Sequence, residues 1–157
     1  MEYVGFVPTR HESYTCLLNM KREIKFRAWH KTEEMFVDAK VFDFNVGVIG
    51  TSAYLSKDGK TKYRDIMQNF VIQQYTGLKD KNGVEIYEGD IVNFVLPGHT
   101  HGPETEVYEN EPVWYDEESA GFVFGKQYYD GWHGHHPYEL KEVEVIGNIH
   151  ENGDLLK

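Results

Sequence analysis

The amino-acid sequence predicts a mainly β protein, built as a small antiparallel barrel or a strongly bent sheet. Three observations carry that prediction. Apolar and polar residues alternate in short runs from Lys21 onward. Turn-forming pairs, Asp58-Gly59 and Asn82-Gly83 above all, separate those runs at close intervals. No stretch carries the three-and-four spacing of a convincing amphipathic helix. Short strands of this kind enclose a core only by bending back on one another.

The elements follow in chain order. Residues 1–19 show no period, and Met20 reads as the natural start, so the leading segment is expected to be a weakly ordered extension. In REIKFRAWH, Ile24, Phe26 and Ala28 share one face of a strand. A turn over His30 to Glu34 leads into Met35-Phe36-Val37 and makes a hairpin. KVFDFNVGVIG is expected to be one half-buried strand, with Phe42, Phe44, Val46 and Val48 on its apolar side. Ser56 to Lys60 is a turn, because Asp-Gly accepts a positive φ. Tyr63 to Gln68 reads equally as a helical turn or a strand entry, and the polar run over 56–68 is a possible seam between two strand-rich halves. The domain boundaries expected from this pattern are 20–68 for an N-terminal β-rich part and 69–157 for a barrel.

Beyond the seam, Phe70, Ile72 and Gln74 begin an extended run that ends in the Asn82-Gly83 hairpin signal, flanked by Leu78, Val84 and Ile86. Glu88-Gly89-Asp90 is a second tight reversal, and Ile91 to Leu96 is a further strand stopped by Pro97-Gly98. Strands are then expected at Thr105–Tyr108, Pro112–Tyr115, Phe122–Phe124 and Glu142–Ile146, punctuated by Gly121, Gly125, Gly131 and Gly134.

Three separated stretches, taken together, resemble a known family. They are Arg22-Glu23-Ile24-Lys25-Phe26-Arg27-Ala28-Trp29; Gln74 to Gly83 (QYTGLKDKNG) with Ile86 to Val92 (IYEGDIV); and Val145 to Asn152 (VIGNIHEN). In order and spacing they are similar to the YopX family from residue 20 to the end, with His30 standing where the family more often has an acidic residue. The resemblance implies a C-terminal SH3-like barrel with an N-terminal β-rich part and a phage or prophage source, and it carries over no catalytic residue, because the family has no established activity. Read physically, the shared stretches look structural: the Gly-containing segments serve turns, Ile91 and Val92 a core, and Tyr75 and Tyr87 aromatic packing across strands.

Composition bounds the function classes. With 157 residues, 40% hydrophobic, 27% charged and 15% aromatic, the chain has the makings of one folded body. Its 26 acidic and 16 basic residues give a net charge of −10, which repels phosphate and anionic lipid. Nucleic acid is therefore not the expected partner, although Lys21, Arg22, Lys25 and Arg27 could form a local basic patch, and the acidic surface could instead mimic DNA. A single cysteine, Cys16, fits a reducing cytoplasm, and no apolar run approaches the roughly 18 residues of a membrane span. The nucleophile elbow and the Gly-rich nucleotide loops are missing from the sequence, so no cofactor is expected and the chain reads as non-enzymatic.

Two constellations stand out as sites. Trp114, Tyr115, Tyr128, Tyr129 and Trp132 form aromatic stretches suited to a protein-binding patch or a self-association surface, and equally to the ends of a small barrel. His99 and His101 in one loop, and His133 and His135 in another with Asp130, have residue types and spacings that could hold Zn²⁺ and support a metal hydrolase. The plainer reading of these histidines is exposed loop positions.

Overall fold

The computed structural model describes residues 23–37, 39–43, 45, 47–97, 105–126 and 134–157, with the backbone alone at 41, 52–55, 63 and 64. The expected extension over 1–19 lies outside these residues. Eleven strands and three short 3₁₀ turns make up the described chain, which holds no α-helix. All strand pairings are antiparallel.

The strands form three sheets. β1 (Phe26–His30), β2 (Met35–Val37), β6 (Phe70–Lys79) and β7 (Glu85–Tyr87) make the first, in the order β2-β1-β6-β7. β3 (Ala39–Asp43), β4 (Val48–Leu55) and β5 (Thr61–Ile66) make the second. The third, β10-β9-β8-β11, is a half-barrel of β8 (Asp90–Pro97), β9 (Thr105–Asp116), β10 (Gly121–Phe124) and β11 (Lys141–Asn148). Thus β6 and β7, from beyond the polar run over 56–68, complete the sheet begun by β1 and β2.

The turn at 30–34 and the hairpin it makes are present, with His30 opposite Met35. Three expectations need correction. KVFDFNVGVIG is not one strand: the chain reverses so that Asp43 pairs with Val48, and Gly47, at φ 65°, sits inside that reversal. Alternation alone cannot distinguish a continuous strand from a tight hairpin whose two arms keep the same period. Ile24 does not join the apolar face, because β1 begins at Phe26 and Ile24 is 69% exposed. The strands expected at 105–108 and 112–115 are one long β9, bent where Asn110 adopts φ 57° and donates its N–H to Asn93 Oδ1 (2.9 Å). The β8–β9 register shifts between Val92 and Phe94, a bulge that adds the twist a half-barrel needs. The ambiguous 63–68 stretch divides: strand as far as Ile66, then a 3₁₀ turn over Met67–Asn69.

Two apolar clusters fill the molecule. One gathers Ala28, Val37, Ile49 and Phe70 from the first two sheets. The other gathers Ile86, Val92, Phe94, Leu96, Val113 and Phe124 inside the half-barrel. Ile86 of β7 belongs to the second cluster although its strand pairs in the first sheet, so β7 ties the two bodies together. The Asn82-Gly83 hairpin is held from inside by Asp80. Its Oδ1 accepts the N–H groups of Asn82 (2.8 Å) and Val84 (2.9 Å), and its Oδ2 accepts that of Val145 on β11 (3.1 Å). Burial would push this carboxyl up, but the N–H groups of Val84, Val145 and Asn82 outweigh it and hold the pKa low.

Candidate functional site

Between the two clusters lies a polar joint whose members come from distant parts of the chain. β1 supplies Arg27, β6 supplies Gln73, the first position of β8 supplies Asp90 and the turn after β11 supplies His150. The Arg27 guanidinium meets Asp90 Oδ1 at 2.5 Å, and its Nε–H donates to Gln73 Oε1 at 2.8 Å. It also lies 4.3 Å from the ring centroid of Phe36 and 4.7 Å from that of Tyr87, within cation–π range of both. Asp90 Oδ2 accepts the Tyr87 N–H at 2.8 Å. Burial pushes the Asp90 carboxyl up from its ordinary range, and Arg27 and the Tyr87 N–H offset part of that push.

Because Gln73 Oε1 is committed to Arg27, the Gln73 amide nitrogen is the end that faces His150 Nε2, at 3.4 Å. His150 is thereby an acceptor, neutral and protonated on Nδ1. Burial and the positive charge of Arg27 both lower its pKa, which agrees with that assignment. The ring stacks on Trp29, with centroids 4.9 Å apart and planes 5° apart.

Above this joint opens a groove of about 420 Å³. Its walls are largely apolar, with Ile72 of β6 on one side, Pro112 and Trp114 of β9 on the other, and Ile149 at the lip. Gly89 and Gln73 form part of the lining. Gly89 has no alternative here: its φ is 77°, and a Cβ would overlap the Gln73 side chain. Its N–H donates to the Val113 carbonyl (2.8 Å) and its carbonyl accepts the Ile149 N–H (2.9 Å), so one residue ties β9 to the C-terminal turn. The Trp114 indole is fixed by its N–H donating to the Gly125 carbonyl at 2.7 Å. Apolar walls with a few placed polar groups suit binding of an apolar moiety.

Of the aromatic residues expected at a binding surface, the two that are described separate. Trp114 lines the groove. Tyr115, the next residue on β9, is 43% exposed and packs edge-on against Phe122 (5.5 Å), away from the groove lining. Tyr128, Tyr129 and Trp132 lie outside the described residues, as do His99, His101, His133 and Asp130. His135 is described, and the exposed-loop reading fails for it. It is 6% exposed, pairs through its backbone with Phe124, and sets its ring edge-on to Phe94 (5.6 Å) and Tyr108 (4.9 Å). Burial pulls its pKa down. A Gly-rich neighbourhood signals irregular backbone, but irregular backbone also caps a barrel end. Among the described residues, no three His, Cys, Asp or Glu side chains are placed to share a metal ion.

Two members of the expected basic patch are engaged within the fold: Arg27 in the joint, and Lys25 with Glu85 at 2.6 Å. Lys21 and Arg22 lie outside the described residues. Sequence reasoning missed Gln73, Asp90, His150 and Ile149 as neighbours. Each has a satisfactory local reading, as strand or turn, and only their presence in or beside the three shared stretches hinted at convergence.

Comparison with known proteins identifies the family. The family model described as YopX protein matches residues 25–157, a span that includes the whole joint and groove. The crystal structure of protein EF1440 from Enterococcus faecalis is similar, with a TM-score of 0.54 and 28% identity over 87% of this chain and 100% of that one. No curated protein matches. The chain belongs to the YopX protein family.

Proposed function

We infer that this protein is a non-enzymatic interaction module that captures a partner polypeptide in the groove between β6 and β9. The carrying observation is the groove itself. It is apolar, open and walled by a fixed tryptophan, and Gln73 in its lining belongs to a polar joint that links β1, β6 and the start of β8. Fixed aromatic anchors beside aliphatic residues are what protein-binding sites use, because little conformational entropy is lost on binding. A polypeptide partner, rather than nucleic acid, is supported by the net charge of −10 and by the internal engagement of Lys25 and Arg27. In this reading the half-barrel is the SH3-like part of a phage- or prophage-derived protein working in the bacterial cytoplasm.

The test is a photo-crosslinking residue placed at Ile149, 40% exposed at the groove lip, and separately at Val107, 67% exposed and outside the groove lining. In a bacterial lysate, discrete protein adducts are expected from position 149 and none from position 107. Equal adducts from both positions, or none from either, would overturn the reading.

A further inference from the structure

Among the described residues, the edge of β6 that faces the groove is left open at one residue, and this bears on the kind of polypeptide that fits. The Tyr75 N–H donates to the Lys25 carbonyl (2.8 Å) and the Lys31 N–H to the Asn69 carbonyl (2.8 Å). With the β1–β6 register, these bonds turn the backbone groups of the odd-numbered residues from 69 to 75 toward β1. Those of the even-numbered residues point to the opposite edge. Gln74 obeys this, since its carbonyl accepts the Glu88 N–H at 2.9 Å. At the other end, the Phe70 N–H is taken by the Met67 carbonyl. Between them Ile72 directs its N–H and C=O outward. β7 pairs with β6 only at Tyr75 and Lys79, and no other described strand lies along that edge. Ile72 is also a wall of the groove.

An outward N–H and C=O separated by one residue's width are the two halves of an antiparallel pair, and they are met by the backbone of one extended residue. Facing them across the groove are Pro112, Trp114 and Ile149, which receive an apolar side chain. Among the described residues, the one charged residue in the lining is Glu88. We propose that the groove binds a short extended segment of a partner protein by strand addition at Ile72, with one large apolar side chain against Trp114 and Ile149 and a Lys or Arg beside Glu88. This deepens the interaction reading above and rests on it. Buried backbone groups are almost always paired, so an extended backbone, rather than a helix, is the occupant that satisfies this edge.

The full chain is used to select from a library of random linear dodecapeptides, and the selected peptides are synthesised and titrated. Expected are sequences that share one large apolar residue with a neighbouring Lys or Arg. N-methylation of the single amide facing the Ile72 carbonyl is expected to weaken binding about tenfold, the worth of roughly one well-made hydrogen bond. Methylation of the amides on either side, which point away, is tolerated. Ile149→Arg, with its thermal unfolding checked, abolishes binding, and Glu88→Gln weakens it and flattens its salt dependence. Peptides that bind at the groove without this alternating sensitivity would overturn strand addition and leave the interaction module standing. Failure to select any peptide that Ile149→Arg displaces would overturn both. A homodimer dissolved by Ile149→Arg would assign the groove to a second copy and overturn the partner segment.

Discussion

The half-barrel core and the joint beneath the groove differ in burial and in what holds them: the joint sets the buried Gln73 and Asp90 against the half-buried Arg27 and His150. The core is apolar: Phe94, Phe124, Val92 and Val113 are almost wholly excluded from water and gain stability from area and close packing. The joint is polar. Its Arg27, Gln73, Asp90 and His150 contribute through directed bonds, and each leaves a buried group unsatisfied if its partner is lost. A core tolerates a change of residue that keeps volume, whereas a joint requires the particular residue. Arg27, Tyr87, Gly89, Asp90, Asn148 and His150 all belong to the three stretches singled out in the sequence, and the joint uses most of them.

That contrast can be broken by substitution. Arg27→Met leaves the Asp90 carboxyl buried without its cation, and should cost about 3–5 kcal/mol in urea unfolding. Adding Asp90→Asn should recover a good part of it. Gly89→Ala, which forces a side chain into positive φ and onto Gln73, should cost about 2 kcal/mol. The same measurement on Ile86→Val, a buried core position, should show only about 1 kcal/mol. If the core change costs as much as the joint change, the distinction is lost.

The smallest effect is a pH dependence. The folded-state pKa of His150 lies below its ordinary value, so the folded state binds fewer protons than the unfolded one. Its contribution to stability is therefore present above the ordinary histidine range and is lost as the pH falls through it. The groups around it are Arg27, which opposes protonation, and Glu151, which favours it. Between about pH 7.5 and about pH 5.5 the urea midpoint should fall, with a slope of at most about 1.4 kcal/mol per pH unit from this one group. His150→Asn should flatten that slope while leaving the share of His135, which titrates in the same sense. An unchanged slope would remove His150 from the account.

Strand existence was largely legible in the sequence because alternation and turn chemistry are local. Asn82-Gly83 and Glu88-Gly89-Asp90 turn where expected, and the strands after them match to within a residue or two. The errors came where one local pattern admits two chain paths, as at Asp43 to Val48, where the structure makes a hairpin. The site was far less legible. Trp114 was found as an aromatic, but nothing within its own segment says that Ile72 and Ile149 will face it. Asp90 read as a turn residue and is one, since it accepts the Tyr87 N–H; its second oxygen, which receives Arg27, answers to a residue 63 positions away. The pairing of β1 with β6, of β8 with β9 and β11, and the bonds of Gly89 to Val113 and Ile149 bring such residues together, and pairing is a property of the whole chain.

β6 has a further consequence through its length. Within ten residues it gives Phe70 to one core, Gln73 to the joint and Tyr75 to the pairing with β7, whose Ile86 belongs to the other core. This one ribbon therefore couples the two cores, although it is not uniform: Gly77 takes φ 91° where the β6–β7 register shifts between Tyr75 and Lys79. Melting it would disturb both cores and the Ile72 wall of the groove together, so the groove draws its stability from the same contacts that hold the fold.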